Sequence, residues 1–125
     1  METLRHSFKA MGTKVELIAS SDSDPRMVSR AAHRVQEIFE VEEQRFSRFR
    51  TTSELSIVNS QAGCGWIPVS ETFLTVTRLA LDAARATGGL FDPTILQALK
   101  AAGYDRDYAE ILAAAESEQE DLELA

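Results

Sequence analysis

Hydrophobic and polar positions first alternate along the chain and then switch to helical spacing. Leu4 to Ala10 and Lys14 to Ala19 are short extended candidates. In the second, Val15, Leu17 and Ala19 alternate with Glu16 and Ile18, a mostly period-two pattern that marks a strand. Met11-Gly12-Thr13 lies between them, and Gly12 can take the tight turn of a hairpin. After a polar Ser and Asp linker, Asp24-Pro25 gives a capped, proline-started helix. Val28, Ala31, Val35, Ile38 and Phe39 recur at helical spacing and predict a helix running to about Phe46. Ser53 followed by Ser56 fits a short capped helical turn, with Asn59 near its end. Trp66-Ile67-Pro68-Val69 reads as a short edge strand, because Pro68 cannot donate a ladder hydrogen bond. Ser70 caps the next helix. Phe73, Val76, Ala80 and Ala83 mark one face of it, and Leu74, Thr77, Leu81 and Ala84 broaden that face. A face this wide belongs against other elements.

That helix runs into Thr87-Gly88-Gly89-Leu90-Phe91-Asp92-Pro93-Thr94. Glycine tolerates the positive φ that a helix C-terminus often needs. Asp92 stands where an N-cap belongs, with Pro93 in the first helical position. A glycine-rich loop aimed at a helix N-terminus offers free N–H groups and a favourable dipole to an anion. Phe91 adds an aromatic face, so a nucleotide suits this corner. An ordinary, well-capped connection between two helices has the same local chemistry and is the commoner use of it. The following helix carries Ile95, Leu96 and Leu99 and stops at Gly103. Tyr104 to Tyr108 is a polar turn, and Ala109 to Ala115 a further helical stretch. These elements predict an α+β fold: an N-terminal β-hairpin with helices packed on a small antiparallel sheet.

The chain has 125 residues, the length of one domain. A hydrophobic content of 44% is enough for a core. The formal charge is −7, but residues 116–125 hold five acids and no base. The body without that segment is close to neutral. Residues 1–115 are therefore expected to form the domain, and 116–125 a disordered acidic tail. No basic patch points to nucleic acid, and no charge excess in the body points to a membrane surface. No apolar run approaches the ~20 residues of a membrane span. The start Met1-Glu2-Thr3-Leu4 has no signal-like character, so the cytoplasm is the expected compartment. A single cysteine, Cys64, excludes an internal disulfide.

Few residues carry obvious chemistry. His33 falls off the apolar stripe of its helix and is expected in solvent. Glu40, Glu42 and Glu43 read as a solvated helix face. Cys64, between two glycines with no histidine near in sequence, reads as an incidental loop thiol. In Phe46-Ser47-Arg48-Phe49-Arg50, an aromatic beside a base can stack on a ring while the guanidinium meets a phosphate. It can equally be a helix end packing into the core. There is no CxxC, HExxH, GxSxG or Walker motif, and two histidines give little support to a hydrolase triad.

Three segments occur in a telling order: Ala10-Met11-Gly12-Thr13, then Ser47-Arg48-Phe49 with Ser53-Glu54-Leu55-Ser56 and Asn59, then Thr87 to Thr94 with Gly103-Tyr104-Asp105. Together they resemble the N-terminal part of the ApbE family, the FAD:protein FMN transferases, over nearly all of residues 7–111. The resemblance implies FAD as substrate, a divalent metal (usually Mg²⁺), and transfer of FMN to a threonine of a target flavoprotein with AMP leaving. It implies that Met11 contacts FAD, and that Phe49 packs on it where an aromatic, often tyrosine, is usual. It implies that Leu90, Phe91 and Asp92 line the FAD site. It supplies no catalytic residue and no metal ligand within this sequence. The family's aspartate–threonine–aspartate metal set and its lysine belong to later segments, so the sequence reads as a truncated family member. Three readings stay open: a transferase by lineage, complete or completed by a partner, a flavin-binding remnant without chemistry, and a small α+β interaction module. The broad apolar face of helix 70–87 adds an expectation of self-association or a covering partner.

Overall fold

A computed structural model describes residues 2–114. It is an α+β structure that divides into two compact units, with the boundary between Gly65 and Trp66. The acidic segment 116–125 lies outside the described residues.

The first unit is built on a hairpin. Strands β1 (Glu2–Ala10) and β2 (Thr13–Ser21) pair antiparallel, with Ala10 opposite Thr13 and Glu2 opposite Ser21. Met11 and Gly12 form the two-residue turn, with φ of 52° and 70°. Positive φ at both central residues is the turn whose twist matches paired strands. The period-two pattern is realised across both strands. Leu4, His6, Phe8 and Ala10 share one face with Val15, Leu17 and Ala19, and Phe8 and Ala10 are buried.

Helix α1 (Pro25–Phe46) packs on that face. Asp24 caps it by accepting from the Arg26 amide at 2.8 Å, and Pro25 opens it. The expected helix is present, but its buried stripe is rotated. Ala32 is the buried residue, with Val28, Val35 and Phe39 half-buried, whereas Ala31 and Ile38 face solvent. Positions 28, 32, 35 and 39 also recur at helical spacing, so the period alone fits either stripe. The Phe39 ring meets Phe8 edge-on at 5.4 Å. Helix α2 (Glu54–Ser60) packs on α1 and starts at its expected serine cap.

The second unit holds α3 (Glu71–Ala86), α4 (Leu96–Ala101) and a helical stretch over residues 108–114. Ser70 caps α3 by accepting from the Phe73 amide at 3.2 Å. At its other end Gly89 N–H donates to Ala84 O at 2.9 Å and Gly88 N–H to Arg85 O at 3.2 Å. These are the two bonds of a Schellman cap, made possible by φ of 59° at Gly88. Leu99, Lys100 and Gly103 repeat the arrangement after α4.

Two local expectations fail. Residues 66–69 form no strand; Trp66 is fully exposed and the segment is irregular. Asp92-Pro93 does not start a helix. Asp92 Oδ1 instead accepts from Thr94 N at 2.8 Å and Thr94 Oγ1 at 2.6 Å, which closes a turn over Pro93–Ile95. Helix α4 begins only at Leu96, with no side-chain cap. The bond from the Thr94 amide is the kind Asp24 accepts from Arg26; what differs at Asp92 is the added bond from the Thr94 hydroxyl, within a turn that no helix continues. The broad face of α3 is largely uncovered: Leu74, Val76, Leu79 and Leu81 are all exposed, and Phe73 is buried.

Candidate functional site

The expected site residues fall in both units: Met11 and Phe49 in the first, Leu90, Phe91 and Asp92 in the second. Met11 sits at the hairpin tip, 57% exposed. Among the described residues it alone combines a side chain with a positive φ. An unbranched residue held there costs about 1 kcal/mol relative to glycine, so the conformation presents the thioether outward at an expense to the fold. Met11→Gly should therefore raise stability by about 0.5–1 kcal/mol in urea melts. An unchanged or lower midpoint would show that the side chain packs better than its exposure indicates.

Phe49 follows α1 in a loop fastened from several sides. Ser47 N–H donates to Glu43 O at 2.9 Å, and Gln44 Nε2 to Thr52 O at 2.9 Å. Ser53 Oγ donates to Ser47 O at 2.6 Å. Arg50 reaches back to Glu40 at 2.5 and 3.1 Å and to Glu43 at 3.1 Å. Arg45 pairs with Glu42 at 2.6 Å and with Glu54 at 3.5 Å. The three glutamates expected on a solvated face are thus partners of two arginines, and Glu42 and Glu43 are half-buried. Sequence spacing hid this, because the Glu40–Arg50 pair spans the helix end and the loop. The loop holds Phe49 half-exposed, with the Arg48 guanidinium 4.3 Å from its ring centre.

The Arg50 hydrogen bond holds the Glu40 carboxyl below its ordinary range, and the nearby positive charge adds to the effect. A depressed carboxylate stabilises the fold above its unfolded pKa and loses that contribution as pH falls through the folded value. Glu40→Gln should flatten the decline of the urea midpoint below about pH 4.5. An unaltered acid limb would remove Glu40 as a source of the pH dependence.

In the second unit Leu90 is almost fully exposed and Phe91 half-exposed. The Phe91 amide is held by Thr87 Oγ1 at 3.1 Å. Hydrogen bonds from the Thr94 hydroxyl and amide keep Asp92 ionised below the ordinary aspartate range. That carboxylate is already shared with Thr94. Among the described residues no three His, Cys, Asp or Glu side chains converge on a possible cation. These residues do not fit a Mg²⁺ site.

His33 is exposed, as expected, but it is not isolated. Its Nδ1 donates to Ser29 O at 2.8 Å and its ring lies 4.8 Å from that of His6. His6 Nε2 meets Gln36 Oε1 at 2.7 Å. Both rings line the seam between β1 and α1, a contact between residues 27 positions apart that no local pattern announces. Cys64 is a free, exposed thiol.

The model of the ApbE family matches residues 11–124. The chain belongs to the ApbE family. The match begins at Met11, spans all five site residues and continues through the acidic segment, beyond the Ile111 where the sequence resemblance thins. Flavin-transferase-type function goes with membership of this family. No curated protein and no solved structure matches the chain. Among the described residues of this ApbE-family chain, no helix is long and apolar enough to cross a membrane.

Proposed function

We propose that this chain serves FAD:protein FMN transfer, binding FAD through Met11, Phe49, Leu90, Phe91 and Asp92. The family match over residues 11–124 carries the reading. Phe49, Leu90 and Phe91 are aromatic or aliphatic and exposed, which suits a planar isoalloxazine or adenine ring. In the reaction, a threonine hydroxyl of the target flavoprotein loses its proton to solvent as its oxygen forms a bond to the FMN phosphorus. The bond from that phosphorus to the AMP phosphate oxygen breaks, and AMP leaves. Mg²⁺ would neutralise charge on the pyrophosphate. Among the described residues no ligand set for it is assembled, so we place its ligands outside them. The exposed apolar face of α3 is a surface a partner, or a second copy, would cover. We place the protein in the cytoplasm, with no role for nucleic acid or a membrane.

A second reading, flavin binding without chemistry, is favoured by the Asp92 carboxylate being committed to Thr94. One experiment separates the readings. The purified chain is mixed with FAD, Mg²⁺ and an acceptor flavoprotein, and AMP release and covalently attached flavin are followed. Both products above background support transfer. FAD binding without AMP supports the second reading, and no binding supports an interaction module instead.

A further inference from the structure

Three arginines cluster where α1 ends, and two are committed. Arg45 is bound by Glu42 and Glu54, and Arg50 by Glu40 and Glu43. Arg48 differs. Among the described residues no carboxylate pairs with it, and its contact is the Phe49 ring at 4.3 Å. A guanidinium that stacks uses its flat face. Its N–H groups lie in its plane and stay free for an acceptor. Phosphate oxygens suit that fork, and a bidentate grip gives both strength and orientation. The loop that carries the pair is tied down by Ser53, Gln44 and Arg50, so little ordering entropy remains to be lost on binding. Two chemistries therefore meet in adjacent residues: an aromatic face and an uncommitted, pre-oriented phosphate donor.

We propose that Arg48 is a specificity-determining residue that grips a phosphate of the bound flavin nucleotide while Phe49 packs on the ligand. The proposal rests on the FAD reading and goes further. Arg48 makes the chain distinguish phosphorylated flavins from riboflavin, and the Glu pairs on Arg45 and Arg50 keep those two guanidiniums from taking that role.

The test is flavin fluorescence titration of the full chain with riboflavin, FMN and FAD. Wild type should bind FAD and FMN more tightly than riboflavin. Arg48→Gln should weaken FAD and FMN by about 10- to 100-fold, the loss of a charge-assisted bidentate contact, and move riboflavin by less than about twofold. Arg48→Lys keeps the charge without the fork and should recover part of the loss. It also covers the case in which the glutamine variant folds poorly, which thermal melts would reveal. Phe49→Leu should weaken all three flavins alike. Equal weakening of all three by Arg48→Gln, or none, overturns the Arg48 proposal and leaves the FAD reading standing. A wild-type chain that binds FAD no better than riboflavin does the same. A wild-type chain that binds no flavin overturns both.

Discussion

Phe8→Ala should remove about 3 kcal/mol from the stability of the hairpin-and-helix unit. Phe8 is 8% exposed on the inner face of β1, opposite Val15 in register. Its ring meets Phe39 of α1 at 5.4 Å and His6 at 5.7 Å. It therefore joins sheet to helix at the centre of a small core. Truncating a buried Phe costs about 3–5 kcal/mol, and the upper figures belong to sites whose cavities stay dry and closed. This site borders a hollow of about 550 Å³ lined by Phe8, Lys9, Ala10, His33 and Val41 among others. The space left by the ring would open into it and take up water, which favours the lower end. Each kcal/mol lowers the midpoint of a unit this size by about 4–8 °C. Ser7→Ala, on the outer face of the same strand, should change stability by less than about 0.5 kcal/mol. The two variants compared in thermal and urea melts isolate the core term. If both behaved like wild type, the hairpin and α1 would not be folding together.

The sequence yielded what depends on neighbours along the chain. The hairpin was legible because Val15, Leu17 and Ala19 alternate and Gly12 permits the turn. The ends of α1 and α2 were legible because Asp24-Pro25 and Ser53 cap them. The glycine corner after α3 was legible because two glycines supply positive φ for a Schellman cap. What failed depends on competition or distance. Asp92-Pro93 looked like a helix start, yet Thr94 two residues on takes the carboxylate and the helix waits until Leu96. Trp66 to Val69 had strand composition, but among the described residues no strand pairs with it. The expected stripe of α1 holds at Val28, Val35 and Phe39, but Ala31 and Ile38 face solvent and Ala32 is buried in their place, because helical spacing fits both sets. The arginine clamps on Glu40, Glu42 and Glu43 and the His6–His33 contact link residues that only the fold brings together. The same limit applies to the site. Its five residues were named by resemblance, whereas the commitment of Arg45 and Arg50, and the freedom of Arg48, emerge only in the fold.

Ser53→Ala should cost about 2–3 kcal/mol, more than an ordinary helix cap. Ser53 is fully buried, and its hydroxyl serves two structures at once. It accepts from the Ser56 amide at 3.1 Å, capping α2, and donates to Ser47 O at 2.6 Å, closing the loop. Removing it leaves the half-buried Ser56 amide without its cap. The Ser47 carbonyl keeps only the Ser56 hydroxyl at 3.5 Å, too long to compensate. Ser53→Thr would restore the hydroxyl but add a methyl where no surface is exposed, costing about 1–3 kcal/mol by overpacking. Alanine should thus lower the urea midpoint and speed exchange of the Ser56 amide, while threonine lowers the midpoint with that amide still protected. The consequence reaches the binding loop, since Ser53 and Arg50 hold the segment that carries Arg48 and Phe49. With the serine gone, the guanidinium must be ordered on binding, and the preference for FAD over riboflavin should narrow. A Ser53→Ala chain that kept both its stability and this preference would show that the arginine clamps alone fix the loop.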